Sequence, residues 1–349
     1  MDYELPKRIY FLELIRSVAA LYVFVYHILQ RIMIDNALLK FLFSFGQEAV
    51  ILFFVLSGFV IFYSQKDKNV KMNKQNYFFA RVIRIYPVFL FALLISYLSV
   101  CINQNAMVPI NLKLLIENIF MLQDFSIGKP GVWVDTYMGN GPLWSLSYEW
   151  WFYILFIPVL FVKPLLQIHL VFGISIISLV IYLFVPNQIC LWLAYFLIWW
   201  SGVEAAKKYI SESLHKPIIP VVYLLFVILL MVFYTIFVFK GQLKFGIFPV
   251  LFIRHFGMAL IFYSFLIFFN VLKINIQKNN ILVRFAPYSY AFYILHYPLL
   301  NIFNSKGWLY TSPFSIILLI IGIGILTWIA ENVIHKYFSK VLKTLLYKA

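Results

Sequence analysis

Ten stretches of about 20 mostly apolar residues, separated by short polar breaks, leave this chain few ways to fold. They run approximately over 9–29, 41–63, 86–104, 143–162, 168–186, 188–206, 218–239, 249–272, 287–304 and 313–334. Each is long enough to cross the hydrocarbon core of a bilayer as a helix. In that solvent every backbone N–H and C=O must be paired within the chain, which a helix does by itself. Composition agrees. Hydrophobic residues make up 64% of the 349 and charged residues 12%, against roughly 45–50% and about 25% in soluble domains. A soluble globule of this size has too little interior to hide that apolar surface. The predicted fold class is therefore all-α. The chain reads as a polytopic integral membrane bundle of about ten transmembrane helices, forming one membrane-embedded domain over 1–349. The first run contains Glu13, Arg16 and His27 and lacks a small-residue cleavage site, so it reads as a retained span.

The formal net charge of +15 would suit nucleic acid. The basic residues instead sit in short loops between apolar runs, which excludes that reading. With the N-terminus inside, inner segments hold 19 Lys and Arg and outer segments 7. This bias predicts that both termini are cytoplasmic. Cys101 and Cys190 lie far apart and form no metal or redox motif, and no metal is predicted.

Two connections stand out. Residues 64–85 form a basic inner loop, with Lys66, Lys68, Lys71 and Lys74, followed by an amphipathic stretch at the inner surface. Residues 105–142 form the longest outer loop. Its first half suits a surface or re-entrant helix, and its Gly-rich second half suits irregular backbone. Pro87, Pro249, Pro287 and Pro313 are placed at span starts, where proline is tolerated.

An ionisable group inside a span costs about 2.5–3.5 kcal/mol, so each needs a reason. Arg16 and His27 are eleven positions apart. They return to within about 20° of one helix face, about 16 Å apart along the axis. Ala20 and Val23 lie between them on that face and add little bulk. That stripe suits a slot, with a carrier's polar end at Arg16 and the reacting group near His27. Alternatively, Arg16 pairs with Glu13 and His27 is interfacial. In the second span, Ser57-Gly58 permits close helix approach. Arg81 and Arg84 are i,i+3 neighbours whose planar forks suit phosphate oxygens. Basic juxtamembrane segments also bind anionic lipid headgroups. The fourth span opens GPLWSLSYEWWFYI. Trp144, Trp150 and Trp151 suggest an outer aromatic belt. Glu149 could steady an imidazole such as His27, or pair with a cation such as Arg254. His296 shares a face with Ser289 and Tyr293. Arg254 and His255 could contact an anionic or sugar acceptor, or serve as polar glue between helices.

Five stretches in order give a specific pattern: Arg16 with His27, FFVLSGF, RVIR, GPLWSLSYEWWFY and SYAFYILHYP. Together they resemble the membrane-bound acyltransferase-3 family, which includes bacterial polysaccharide O-acetyltransferases. The resemblance covers nearly the whole chain. It implies about ten helices around a pore, an acyl-CoA donor such as acetyl-CoA entering from the cytoplasm, and an acyl group emerging outward. It places the family's histidine on His27 and its paired arginine on Arg16. Its two-arginine motif falls on Arg81 and Arg84 near the CoA phosphates, its acidic residue on Glu149, and its ninth-span histidine on His296. The implied acceptor is a hydroxyl of a cell-surface or polyprenyl-linked glycan, and the implied location is a bacterial inner membrane. The chain ends about fifteen residues past the tenth predicted span. It thus acylates its acceptor directly, or a separate partner protein completes transfer. Substrate contacts are expected at Arg254, His255, His296 and Trp144. A transporter or flippase for lipid-linked sugars is the alternative reading. It predicts internal repeats and spans broken near mid-membrane.

Overall fold

The computed structural model describes residues 8–32, 36–65, 73–210, 216–268 and 274–346. Lys66, Lys68 and Lys71 of the basic inner loop lie outside the described residues. Fourteen α-helices follow one another. They are α1 (Tyr10–Leu29), α2 (Ala37–Leu42), α3 (Gly46–Tyr63), α4 (Lys74–Gln104), α5 (Leu112–Ile119), α6 (Trp144–Val159) and α7 (Pro164–Phe184). After these come α8 (Gln188–Ile210), α9 (Ile218–Phe233), α10 (Val250–Phe268), α11 (Ile281–Phe285), α12 (Ser289–Ser305), α13 (Pro313–Ile329) and α14 (His335–Leu346). The only β pairing among the described residues is a two-residue parallel bridge, Gln123–Asp124 beside Val134–Asp135.

Among the described residues, eight helical segments are long and apolar enough to cross a membrane. The chain is a multi-pass, all-α membrane protein. The other two predicted spans correspond to α6 and α12, helices of 16 and 17 residues. Most of their side chains face protein rather than lipid. The outer shell is apolar, as lipid contact requires. Leu225, Phe226, Leu229 and Phe233 of α9 are exposed, as are Ile317, Ile320 and Ile321 of α13.

Asparagine sets several helix starts. Asn36, Asn73, Asn111 and Asn280 each accept a backbone N–H of the first turn. Asn105 closes α4 in the left-handed region, φ 51°. The start of α4 differs from expectation. It begins at Lys74, so RVIR and Pro87 lie inside one 31-residue helix. Such a helix spans about 46 Å against about 30 Å of hydrocarbon, which leaves its first turns for the interface. Pro87 withholds one helix hydrogen bond. A neighbouring helix supplies another close by, where the Tyr290 hydroxyl donates to the Ile85 carbonyl at 3.1 Å.

Helix α8 is buried almost throughout, and α3 lies directly on it. Ser57-Gly58 makes this approach possible. A Cβ at Gly58 would run into the Trp199 carbonyl, and one at Gly202 into the Val55 carbonyl. Gly202→Ala is therefore expected to lower the melting temperature in detergent, since overpacking costs about 1–3 kcal/mol. Gly173→Ala on α7 meets nothing within 4 Å and is expected to leave it unchanged or raised. Equal melting temperatures for the two variants would show that the α3–α8 approach is dispensable.

Candidate functional site

Two cavities lie near opposite ends of α1. The first, of about 350 Å³, opens among α1, α3, α4, α6 and α12. Its wall carries Arg16, Arg81, Arg84, Glu149, Tyr153 and Tyr293. The structure thus gathers four predicted site residues from three helices into one chamber. Arg81 lies 5.5 Å from the Tyr77 ring and 5.7 Å from the Tyr153 ring. Its Nε is buried without a hydrogen-bond partner, so it has donor capacity left for a ligand. Arg84 instead donates through one terminal nitrogen to both Glu331 oxygens, at 3.2 and 2.9 Å. His335 approaches the same carboxylate at 3.9 Å.

Glu149 is held differently from the expectation. Its Oε1 accepts from Ser57 Oγ at 2.8 Å and from the Tyr153 hydroxyl. Trp199 Nε1 donates to Ser57 at 3.2 Å. The structure therefore places Glu149 in the wall of the arginine cavity, hydrogen-bonded to hydroxyls rather than to an imidazole. Nor does Glu149 pair with Arg254, whose carboxylate is Glu48 at 2.5 Å. Arg16 is not bridged to Glu13, which faces Arg8 at 3.9 Å. The slot foreseen along α1 is closed, because Ala20 and Val23 are buried in packed clusters.

A series of ring contacts along α12 joins the neighbourhoods of the two cavities. Tyr293, in the arginine cavity, shares a hydrogen bond with Ser145 at 3.0 Å. Its ring centroid is 6.1 Å from that of His296. His296 is fully buried, with Nδ1 3.2 Å from the Phe292 carbonyl and Nε2 without a partner. Its ring lies 5.4 Å from His27. His27 also packs against Tyr297 at 4.9 Å and Tyr26 at 4.8 Å. Tyr26 lines the second cavity, of about 560 Å³, together with Arg31, Lys40, Gln47, Phe245 and Arg254. A Cβ at Gly46 would strike the Tyr26 ring, so glycine there lets α3 begin beside this wall. The His27 and His296 rings thus lie between Tyr26, which lines one cavity, and Tyr293, which lines the other.

The remaining predicted contacts fall elsewhere. Trp144 and Trp150 do not form a surface belt, since both are buried. Lys129 of the outer loop lies over Trp144, while Trp150 packs against Phe78 and Tyr86 of α4. Trp144 stacks on His255 with centroids 6.3 Å apart, and His255 Nδ1 meets the Tyr195 hydroxyl at 2.8 Å. Trp144 and His255 line neither cavity. They belong to a buried polar knot that residue patterns did not reveal. There Lys129 meets Asp124 at 2.6 Å, Tyr148 donates to Asp124 at 2.6 Å, and Lys129 sits 4.0 Å over Trp144. Burial pulls the Lys129 ammonium below its usual pKa, and the Asp124 carboxylate opposes that shift. This knot pins the outer loop to the helices. Tyr153, one turn after Glu149, was open to discovery from i,i+4 spacing. Glu331 stands at i,i+4 spacing to His335, which it meets, but its pairing with Arg84 and that of Glu48 with Arg254 join distant segments and carried no local signal.

One comparison assigns this multi-helix membrane fold to the membrane acyltransferases. A family described as an acyltransferase domain, acyltransferase-3, matches residues 9–331 of the 349. The chain belongs to this family. No curated protein and no solved structure matches it.

Proposed function

We propose that this membrane acyltransferase moves an acyl group, acetyl in the simplest case, from cytoplasmic acyl-CoA to a hydroxyl of a surface or lipid-linked glycan. The observation that carries the reading is the His27–His296 pair standing between a three-arginine cavity and a second chamber at the other end of α1. The positive-inside bias supports the arginine cavity as the cytoplasmic one. The partnerless Nε of Arg81 suits a phosphate oxygen. In the proposed step the acceptor oxygen attacks the thioester carbonyl. A C–O bond forms, the C–S bond breaks, and CoA leaves as the thiolate. His27 takes the hydroxyl proton and returns it to the thiolate. Packed helices around the imidazoles exclude water that would hydrolyse the thioester. Glu149 is a positioning residue, ordering Ser57 and Tyr153 in the donor wall. The site residues read from the sequence thus divide into donor-side Arg16, Arg81, Arg84 and Glu149, and transfer-side His27 and His296.

Purified protein is expected to bind acetyl-CoA saturably and to release free thiol when membranes carrying acceptor glycan are added. Removing the 3′-phosphate of CoA is expected to weaken binding about tenfold, the scale of one charge-assisted contact. Folded protein that binds no acyl-CoA of any chain length would end the donor assignment.

A further inference from the structure

The second cavity is electrostatically one-sided. Arg31, Lys40 and Arg254 line it, and among the described residues no Asp or Glu does. Arg254 is balanced from behind by Glu48 at 2.5 Å and lies flat on Phe245, 3.3 Å from its centroid. Arg31 is not balanced. Its terminal nitrogens donate to the His27 carbonyl at 2.9 Å and to Asn301 Oδ1 at 2.6 Å, both neutral acceptors. Its guanidinium sits 4.6 Å over Tyr297, the same ring that flanks His27. Among the described residues, no carboxylate pairs with Arg31 or with Lys40. A cation fixed by two hydrogen bonds and an aromatic face keeps its geometry without a ligand. It therefore offers a preorganised site for an anion beside the imidazole. Tyr26 and Phe245 add aromatic surface of the kind on which a sugar ring can lie.

We infer that this cavity seats the acceptor by an anionic group, a carboxylate or phosphate on the glycan, held by Arg31 and Lys40 next to His27. This rests on the acyl-transfer reading and names its acceptor class as an acidic glycan. The anion anchors to Arg31, one turn beyond His27, so that a neighbouring sugar hydroxyl reaches the imidazole. Arg31 and Lys40 then set acceptor choice, while His27 performs the transfer.

The test uses the full chain in phosphatidylcholine nanodiscs and reads probe binding by saturation-transfer NMR. The probes are methyl glucuronide, glucose 1-phosphate and the neutral methyl glucoside. The charged probes are expected to bind at least tenfold more tightly than the glucoside. Arg31→Gln is expected to reduce that preference about tenfold and leave glucoside binding unchanged, an outcome that mere misfolding would not give. Lys40→Gln, at an exposed position on α2, provides a second variant with the same expected direction. Equal affinities for charged and neutral probes would overturn the inference, as would a preference that survives both substitutions. Loss of glucuronide binding in nanodiscs containing phosphatidylglycerol would assign the cavity to lipid headgroups and overturn it as well. The readout needs neither donor nor turnover. Failure of the donor assignment and failure of this inference are therefore separate results.

Discussion

His27→Ala is expected to lower acyl transfer by at least about 100-fold, the lower range of what a positioned acid–base group contributes. Donor affinity is expected to stay within about twofold, because His27 is absent from the wall of the arginine cavity. The split matters more than the loss. A residue that only supported the fold would move both quantities, or would reduce the amount of folded protein. The measurement pairs acetyl-CoA binding with thiol release at equal protein in membranes carrying acceptor. His27 is partly buried between Tyr26, His296 and Tyr297, so alanine leaves a small void rather than an exposed charge. Turnover above a tenth of wild type would remove the imidazole from the chemistry. Lost donor binding would move His27 into the donor site and undo the two-chamber arrangement.

The helices were legible because a bilayer imposes a long apolar run on each crossing segment. The gathering of Arg16, Arg81, Arg84 and Glu149 was legible only as a family pattern. No spacing rule joins residues on α1, α4 and α6. Partner choice was not legible at all. Glu331 lies 247 positions from Arg84, and only the packing of the π-helical turn Ala330–Ile334, between α13 and α14, beside α4 brings them together. The aromatic belt failed for a related reason. A Trp near a span end marks the interface when lipid surrounds it, but Trp144 and Trp150 are covered by chain. Asp124 and Lys129 of the outer loop are both charged. Both are nearly inaccessible, and their mutual ion pair is what permits that burial. The placement of Pro87 shows the limit of local rules. Proline favours helix starts, yet α4 runs through it, because neighbouring helices and a long apolar run outweigh one missing hydrogen bond.

The two arginines of RVIR are expected to separate when they are changed singly. Arg81→Gln removes a guanidinium whose Nε has no protein partner. It is expected to weaken acyl-CoA binding at least about tenfold, since hydrogen bonds to charged groups contribute about 1.5–3 kcal/mol. No ion pair is lost, so the melting temperature of the ligand-free protein should hold. Arg84→Gln acts on the fold first. Glu331 is only 9% exposed and its closest cation is Arg84, at 2.9 Å. Without it, a mostly buried carboxylate between α4 and the Ala330–Ile334 turn loses its main partner, at a cost of about 1–3 kcal/mol. Arg84 is itself 36% exposed, which keeps the cost below that of a fully buried pair. The expected result is a lower melting temperature with a smaller change in donor affinity. The double change Arg84→Gln/Glu331→Gln is expected to recover most of that stability by removing the stranded charge. Thermal unfolding and acetyl-CoA titration on the same four preparations, wild type included, read both quantities. Equal affinity losses for the two single variants would mean that Arg84 leaves Glu331 when the donor binds. The Arg84–Glu331 ion pair would then be a latch that the CoA phosphates open rather than a fixed strut.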